Sequence, residues 1–220
     1  MTLETIELET GPNPTASIII LHGLGADGND FVPVAEELEL ASVGPVRFVF
    51  PHGPTRPVTI NGGYVMRAWY DILGTDLARR EDEAGLRESQ ALVEELIAAE
   101  TARGIKSSRI VLAGFSQGCA MTFMAGLRHK QRLGGLLGMS GSLPLHDKTA
   151  AERSAANADV PIFQAHGSAD PVIAVARAVA SRDALRALGY TVDWHEYPMQ
   201  HSVCAAEIAE MNRWLLKVLG

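Results

Sequence analysis

The sequence predicts an α/β fold, a mostly parallel central sheet with helices on both faces, and three observations predict it. Short apolar runs of strand length alternate with helical patterns along the 220 residues, as they do where crossover helices join parallel strands. One run ends in Gly114-Phe115-Ser116-Gln117-Gly118 and passes directly into small and apolar residues, which reads as a serine on a strand-to-helix elbow. The turns after two later runs carry Asp170 and His201, at strand ends where open α/β sheets place their chemistry.

Taken in order, Ser17-Ile18-Ile19-Ile20-Leu21 is a short apolar strand followed by the loop His22-Gly23-Leu24-Gly25. Asp30 is placed to cap a short helix with Phe31, Val34, Ala35 and Leu38 on one face. Val46-Arg47-Phe48-Val49-Phe50 is the next strand, ended by Pro51. From Glu83 to Arg103, Leu86, Val93, Leu96 and Ile97 recur at helical spacing, and Gly104 closes that helix as a C′ glycine. Arg109 to Ala113 is the strand before the elbow, and Cys119 to Leu127 the helix after it. Leu133 to Ser140, Pro161 to Ala165 and Thr191 to Tyr197 supply three further strands. Ala174 to Leu188 and Ala205 to Leu219 are the last helices, the final one with Ile208, Met211, Leu215 and Leu219 on a stripe. The segment from Gly141 to Asp159 is too short for a large helical cap, so no cap domain is expected.

Length suits a single domain over residues 1–220, since a chain of this size buries about 70% of its unfolded surface. No apolar run approaches the ~20 residues of a membrane span, so no stable membrane insertion is expected. The first residues, Met1-Thr2-Leu3-Glu4-Thr5, lack the basic start and apolar stretch of a signal peptide, which makes the cytoplasm the expected location. A net charge of −7 argues against nucleic acid as a partner, for which a basic stripe is the footprint. Cys119 and Cys204 are expected as a pair of buried free thiols, and no metal-ligand spacing is present.

An exposed serine is a weak nucleophile until a general base reaches it and a third group orients that base. In the α/β-hydrolase fold these partners follow the serine in the order acid, then histidine. Asp170, in His166-Gly167-Ser168-Ala169-Asp170-Pro171, and His201, in Pro198-Met199-Gln200-His201-Ser202, supply them in that order. In this reading His201 takes the Ser116 proton and returns it to the leaving group, while Asp170 fixes the imidazole. The backbone N–H groups of Leu24 and Gln117 are assigned to the oxyanion, each worth on the order of 3 to 4 kcal/mol in the transition state. No metal or cofactor is needed.

Five segments together resemble the phospholipase/carboxylesterase family, which includes acyl-protein thioesterases and small bacterial carboxylesterases. They are His22-Gly23-Leu24-Gly25-Ala26-Asp27-Gly28, Arg67-Ala68-Trp69-Tyr70-Asp71-Ile72, Gly114-Phe115-Ser116-Gln117-Gly118, Gly167-Ser168-Ala169-Asp170-Pro171 and His201-Ser202-Val203-Cys204. The likeness runs from about Ser17 to the C-terminus. It implies a cofactor-independent hydrolase of carboxylic esters or thioesters with Ser116, Asp170 and His201 as triad. The partner it implies is a small acyl ester or thioester, with acyl-protein thioesterase and lysophospholipase activities as alternatives on the same triad. Cys119 departs from the second glycine that many members carry there, and the turn is expected to survive because cysteine is small.

The segment from Pro51 to Asp82 is the least regular, and long loops in compact domains are usually functional. It is placed over the active site, with Trp69, Ile72 and Leu73 as the acyl-chain wall. A core aromatic is the other reading of Trp69, and only the family likeness favours the wall. Such a site is open or shallow and suits short to medium acyl chains.

Two rival readings are weaker. Gly23 to Gly28 matches G-x-G-x-x-G, but the strand ending at Phe50 carries no acid for a ribose. A catalytically silent binding module on the same scaffold is the other. His22, His52, His129, His146, His166 and His195 are expected in turns, caps, the surface or, for His195, a strand. Arg79-Arg80-Glu81-Asp82-Glu83 reads as a solvated helix start. No leftover apolar stripe demands a second copy, and a homodimer stays open.

Overall fold

A computed structural model describes residues 3–74 and 81–220. Among them nine strands form. They are β1 (Thr5–Glu9), β2 (Ala16–Leu21), β3 (Val46–Pro51), β4 (Thr55–Val58), β5 (Tyr64–Arg67), β6 (Ile110–Phe115), β7 (Gly135–Met139), β8 (Ile162–Gly167) and β9 (Val192–Tyr197). Seven build one sheet in the order β1-β3-β2-β6-β7-β8-β9, while β4 and β5 form a separate antiparallel hairpin. Every neighbour pair in the large sheet is parallel except β1 against β3, where Ile6 faces Phe50.

The helices are α1 (Val32–Glu36), α2 (Glu83–Ala102), α3 (Gln117–Gly126), α4 (His146–Glu152), α5 (Val175–Ala187) and α6 (Ala205–Leu219). Successive strand residues point to opposite faces, so each central strand feeds two cores. Ile19, Leu21, Leu112 and Leu136 pack with Leu86, Val93 and Ile97 of α2 and with Phe123 of α3. Ile18, Ile20, Phe48 and Val111 pack on the other face with Ala35 of α1 and with Met211, Trp214, Leu215 and Leu219 of α6. Strands buried on both faces read as continuous apolar runs for this reason. No described helix is long and apolar enough to cross a membrane.

Several boundaries differ from the sequence reading. β1 was not anticipated, although Thr-Ile-Glu-Leu-Glu alternates. Ile6 and Leu8 turn to one core, while Glu9 binds Arg47 at 2.9 Å and Glu7 binds Arg103 at 2.6 Å. The β4–β5 hairpin and α4 were also missed; both are short, and α4 lies in the segment judged too short for a cap. Asp30 caps nothing: Phe31 occupies the N-cap position of α1, and the nearby carboxylate in use is Asp27, which accepts from the Asn29 N–H. β7 is shorter than Leu133 to Ser140 at both ends, and β8 runs on through His166 and Gly167. The α2 helix starts where charge predicted, with Asp82 as N-cap accepting from the Gly85 N–H. Arg79 and Arg80 lie outside the described residues.

Candidate active site

The elbow is built by close backbone approach. A Cβ on Gly118 would stand 1.9 Å from the Leu21 carbonyl oxygen, and one on Gly114 would stand 2.2 Å from the Gly118 oxygen. Only glycine at both positions lets β6, α3 and the end of β2 meet. Ser116 is forced to φ 57° and ψ −114°, a left-handed conformation that costs a non-glycine residue about 1–3 kcal/mol. Its N–H donates to the Met139 carbonyl at 2.9 Å, which holds the strained residue against β7.

Asp170 and His201 arrive on two loops that are zipped together. The Ser168 N–H donates to the Tyr197 oxygen at 2.8 Å and the Ala169 N–H to the Met199 oxygen at 3.1 Å. Gly167 permits this, since a Cβ there would meet the Gln200 oxygen at 2.3 Å. His201 Nδ1 then donates to Asp170 Oδ2 at 2.7 Å. The other carboxylate oxygen, Oδ1, accepts from the N–H groups of Val172 and Ile173 at 2.8 and 2.9 Å. Burial works to raise the Asp170 pKa, but the His201, Ile173 and Val172 hydrogen bonds outweigh it and hold the carboxyl below its ordinary range. The His201 ring lies 4.7 Å from the ring of Phe115, the residue just before Ser116. Of the alternative acids, Asp193 stands beside His195 at the start of β9 and Asp159 beside Arg132 before β8, at the far ends of these strands from His201.

The loop after β2 closes the site from the third side. A Cβ on Gly23 would lie 3.4 Å from Ser116 Cβ, so the backbone entering Leu24 runs along Ser116. Among the described residues neither the Leu24 nor the Gln117 N–H donates a hydrogen bond. His22 fixes the start of this loop. The Gly53 N–H donates to its Nε2 at 2.9 Å, so the proton must be on Nδ1, which donates to the Gly23 oxygen at 2.7 Å. Burial lowers the His22 pKa and keeps the ring neutral, as this pairing requires.

The sequence match follows this geometry. The phospholipase/carboxylesterase family profile covers residues 4–219. The chain belongs to the phospholipase/carboxylesterase family. It is 40% identical over 206 residues to a Yarrowia lipolytica protein named acyl-protein thioesterase 1, with 91% of each chain covered. Zea mays acyl-protein thioesterase 2 has a similar structure, with a TM-score of 0.88 at 28% identity over 99% of each chain. Arabidopsis thaliana SOBER1 gives 0.88 at 27%, over 93% of this chain and 99% of that one. Membership of the family carries the α/β-hydrolase fold, without a large cap, and a serine hydrolase activity.

Against the usual family pattern, Cys119 takes the place of a small glycine and is absorbed by glycines elsewhere. A Cβ on Gly141 would lie 2.6 Å from the Cys119 sulfur and one on Gly138 2.8 Å from it. Burial pushes the Cys119 thiol pKa well up, so the group is inert. Cys204 is only half-buried, which corrects the expectation of two buried thiols.

The acyl wall needs a correction at Trp69. Trp69 is 0% exposed. Its indole N–H donates to the His22 oxygen at 2.9 Å, and the side chain belongs to the core that backs the loop. Ile72 is half-buried and Leu73 is 40% exposed. A small cavity of about 30 Å³ beside Ser116 is lined by the charged Asp71, Glu81, Asp82 and Arg177 together with Tyr70, Ala120, Ser142, Pro144 and Ile173. Sequence reasoning also missed the Gln117 side chain, whose Oε1 accepts from the Trp69 N–H at 3.0 Å and whose Nε2 donates to the Tyr70 oxygen at 2.9 Å. The G-F-S-Q-G motif contained that residue, but only its backbone had been given a task. His166 proves to be fully buried within β8 rather than in a turn, His22 is buried where its loop begins, and Gly28 is required by packing, since a Cβ there would meet the Phe50 oxygen at 2.5 Å.

Proposed function

We propose that this protein, acting as a single domain, hydrolyses carboxylic esters of short to medium acyl chains through a Ser116 acyl-enzyme. The 2.7 Å bond between His201 Nδ1 and Asp170 Oδ2 carries the reading. It leaves Nε2 of the same ring as the free nitrogen, on an imidazole packed against Phe115 next to the serine. His201 Nε2 takes the Ser116 proton as Oγ attacks the acyl carbon. The carbonyl oxygen becomes an oxyanion that the free Leu24 and Gln117 N–H groups receive. Collapse expels the alcohol, which collects the proton from His201, and water repeats the sequence to free the acid and Ser116. Asp170 holds the ring in the Nδ1–H tautomer throughout. The seven-residue α4 is the only α-helix in the segment from 141 to 159, so no large helical cap encloses a long chain, which favours modest acyl chains. A reducing, cytoplasmic setting fits the two free thiols.

A second reading, thioester cleavage on S-acylated cysteines, is favoured by relatives at 40% identity that bear the name acyl-protein thioesterase. Matched oxygen esters and thioesters of equal chain length separate the two by their kcat/KM. A fluorophosphonate tests the shared triad. It should add one label per chain at Ser116, and labelling or turnover that survives Ser116→Ala would overturn the assignment. The mechanism uses no metal, so a chelator should leave the rate unchanged.

A further inference from the structure

His166 has no part in the chemistry above, yet it is completely buried directly behind the acid. Its Nε2 lies 2.8 Å from the Ile173 carbonyl oxygen and 3.3 Å from Asp170 Oδ2. A carbonyl can only accept, and Oδ2 already accepts from His201, so Nε2 must carry a proton and donate. Its Nδ1 is buried with no partner, and nothing there asks for a proton.

From this arrangement we infer that His166 is a positioning residue for the acid, an inference that rests on the triad reading above. Ile173 is held twice. Its N–H grips Asp170 Oδ1, and its carbonyl is gripped by His166 from β8. One imidazole therefore bolts the 170–173 turn to the sheet through Ile173, with Nε2 passing 3.3 Å from Asp170 Oδ2. Three donors hold the carboxylate, from Val172, Ile173 and His201, and fixing Ile173 fixes one of them before any substrate arrives. Without the imidazole, the turn keeps its Asp170 cap and the Asp170 N–H bond to Gly167 but loses its tie at Ile173, and Oδ2 drifts relative to His201.

The test begins on the wild-type protein. Nitrogen-15 NMR of labelled histidines should find His166 as the Nε2–H tautomer; an Nδ1–H tautomer would overturn the inference, since Nε2 could then reach neither acceptor as a donor. His166→Leu should lower kcat/KM by about 10- to 100-fold, the scale on which small misplacements of catalytic groups act. The loss should appear in kcat with KM little changed. His166→Gln restores an N–H at similar reach and should recover the rate to within about 5-fold of wild type. Wild-type kinetics in a folded His166→Leu would sink the idea, as would a His166→Gln no faster than His166→Leu. If the leucine variant does not fold, the tautomer and the glutamine variant still decide. Failure of wild-type Ser116 to accept a fluorophosphonate would instead remove the triad reading, while leaving the His166 tautomer readable on its own.

Discussion

The Trp69 indole N–H donates to the main-chain oxygen of His22 at 2.9 Å, and the two rings lie 5.4 Å apart. A buried aromatic from the irregular segment thus supports the loop that leads into Leu24. Trp69 is reinforced on its own backbone by Gln117 and by the Ser89 hydroxyl, which donates to its carbonyl. Trp69→Ala should therefore cost about 3–5 kcal/mol of stability, the range for large buried aromatics. Turnover of acetate and octanoate esters should fall by the same factor. A selective change in chain-length preference, measured as the ratio of the two kcat/KM values, would return Trp69 to the acyl wall.

Asp170→Asn keeps the shape but presents the wrong partner to His201 Nδ1, and kcat should drop on the order of 10⁴-fold by analogy with serine proteases. The folded Asp170 pKa is lowered, so its stabilisation is present above the unfolded value near ~3.9 and is lost as pH falls through the lower folded value. Thermal melts of wild type and Asp170→Asn should accordingly begin to converge as pH falls below about 4 and meet only below the folded value. Retention of more than about a tenth of the wild-type rate would mean that another acid orients the ring.

Glu207 is fully buried in the first turn of α6, with neither side-chain oxygen hydrogen-bonded to another side chain, and burial raises its pKa to about 8. The folded state holds a proton that the unfolded chain has released, so stability falls as pH rises from about 4.5 to about 8. The slope is at most about 1.4 kcal/mol per pH unit. Glu207→Gln removes the titration and can still accept at the helix start, as glutamine does in a capping box. Its Tm advantage over wild type should grow between pH 5 and pH 8. A constant difference across that range would mean that Glu207 is ionised when folded.

The two thiols should react at very different rates. A disulfide reagent such as dithionitrobenzoate should modify half-buried Cys204 first, with Cys119 reacting only on unfolding. Peptide mapping after one equivalent of release checks this, and early label on Cys119 would contradict its enclosure.

Much of this architecture is legible in the chain because its signals are local. The G-F-S-Q-G elbow, the apolar strands and the stripe of α6 each declare themselves within about ten residues. Asp170 and His201 were legible as strand-end residues in the right order. The rest depended on contacts across the chain. Trp69 looks the same in sequence whether it faces a substrate or a core, and only the bond to His22, 47 positions away, distinguishes them. His166 was read as a turn residue because β8 continues two residues past its last apolar side chain. β1 carried a readable alternation, but with only Ile6 and Leu8 on its apolar side the pattern is too short to stand out.

The pairing of the 168–169 backbone with residues 197 and 199 ties acid and base into one mechanical unit at the β9 edge of the sheet, while Ser116 is anchored on β6, two strands inward from β8. Heating should loosen the rim before the centre. Acid and base would then leave together as an intact couple, abandoning a serine whose elbow still stands. Esterase activity should therefore fade at a lower temperature than the far-ultraviolet dichroism of the protein, and cooling from that intermediate range should bring it back without refolding of the core.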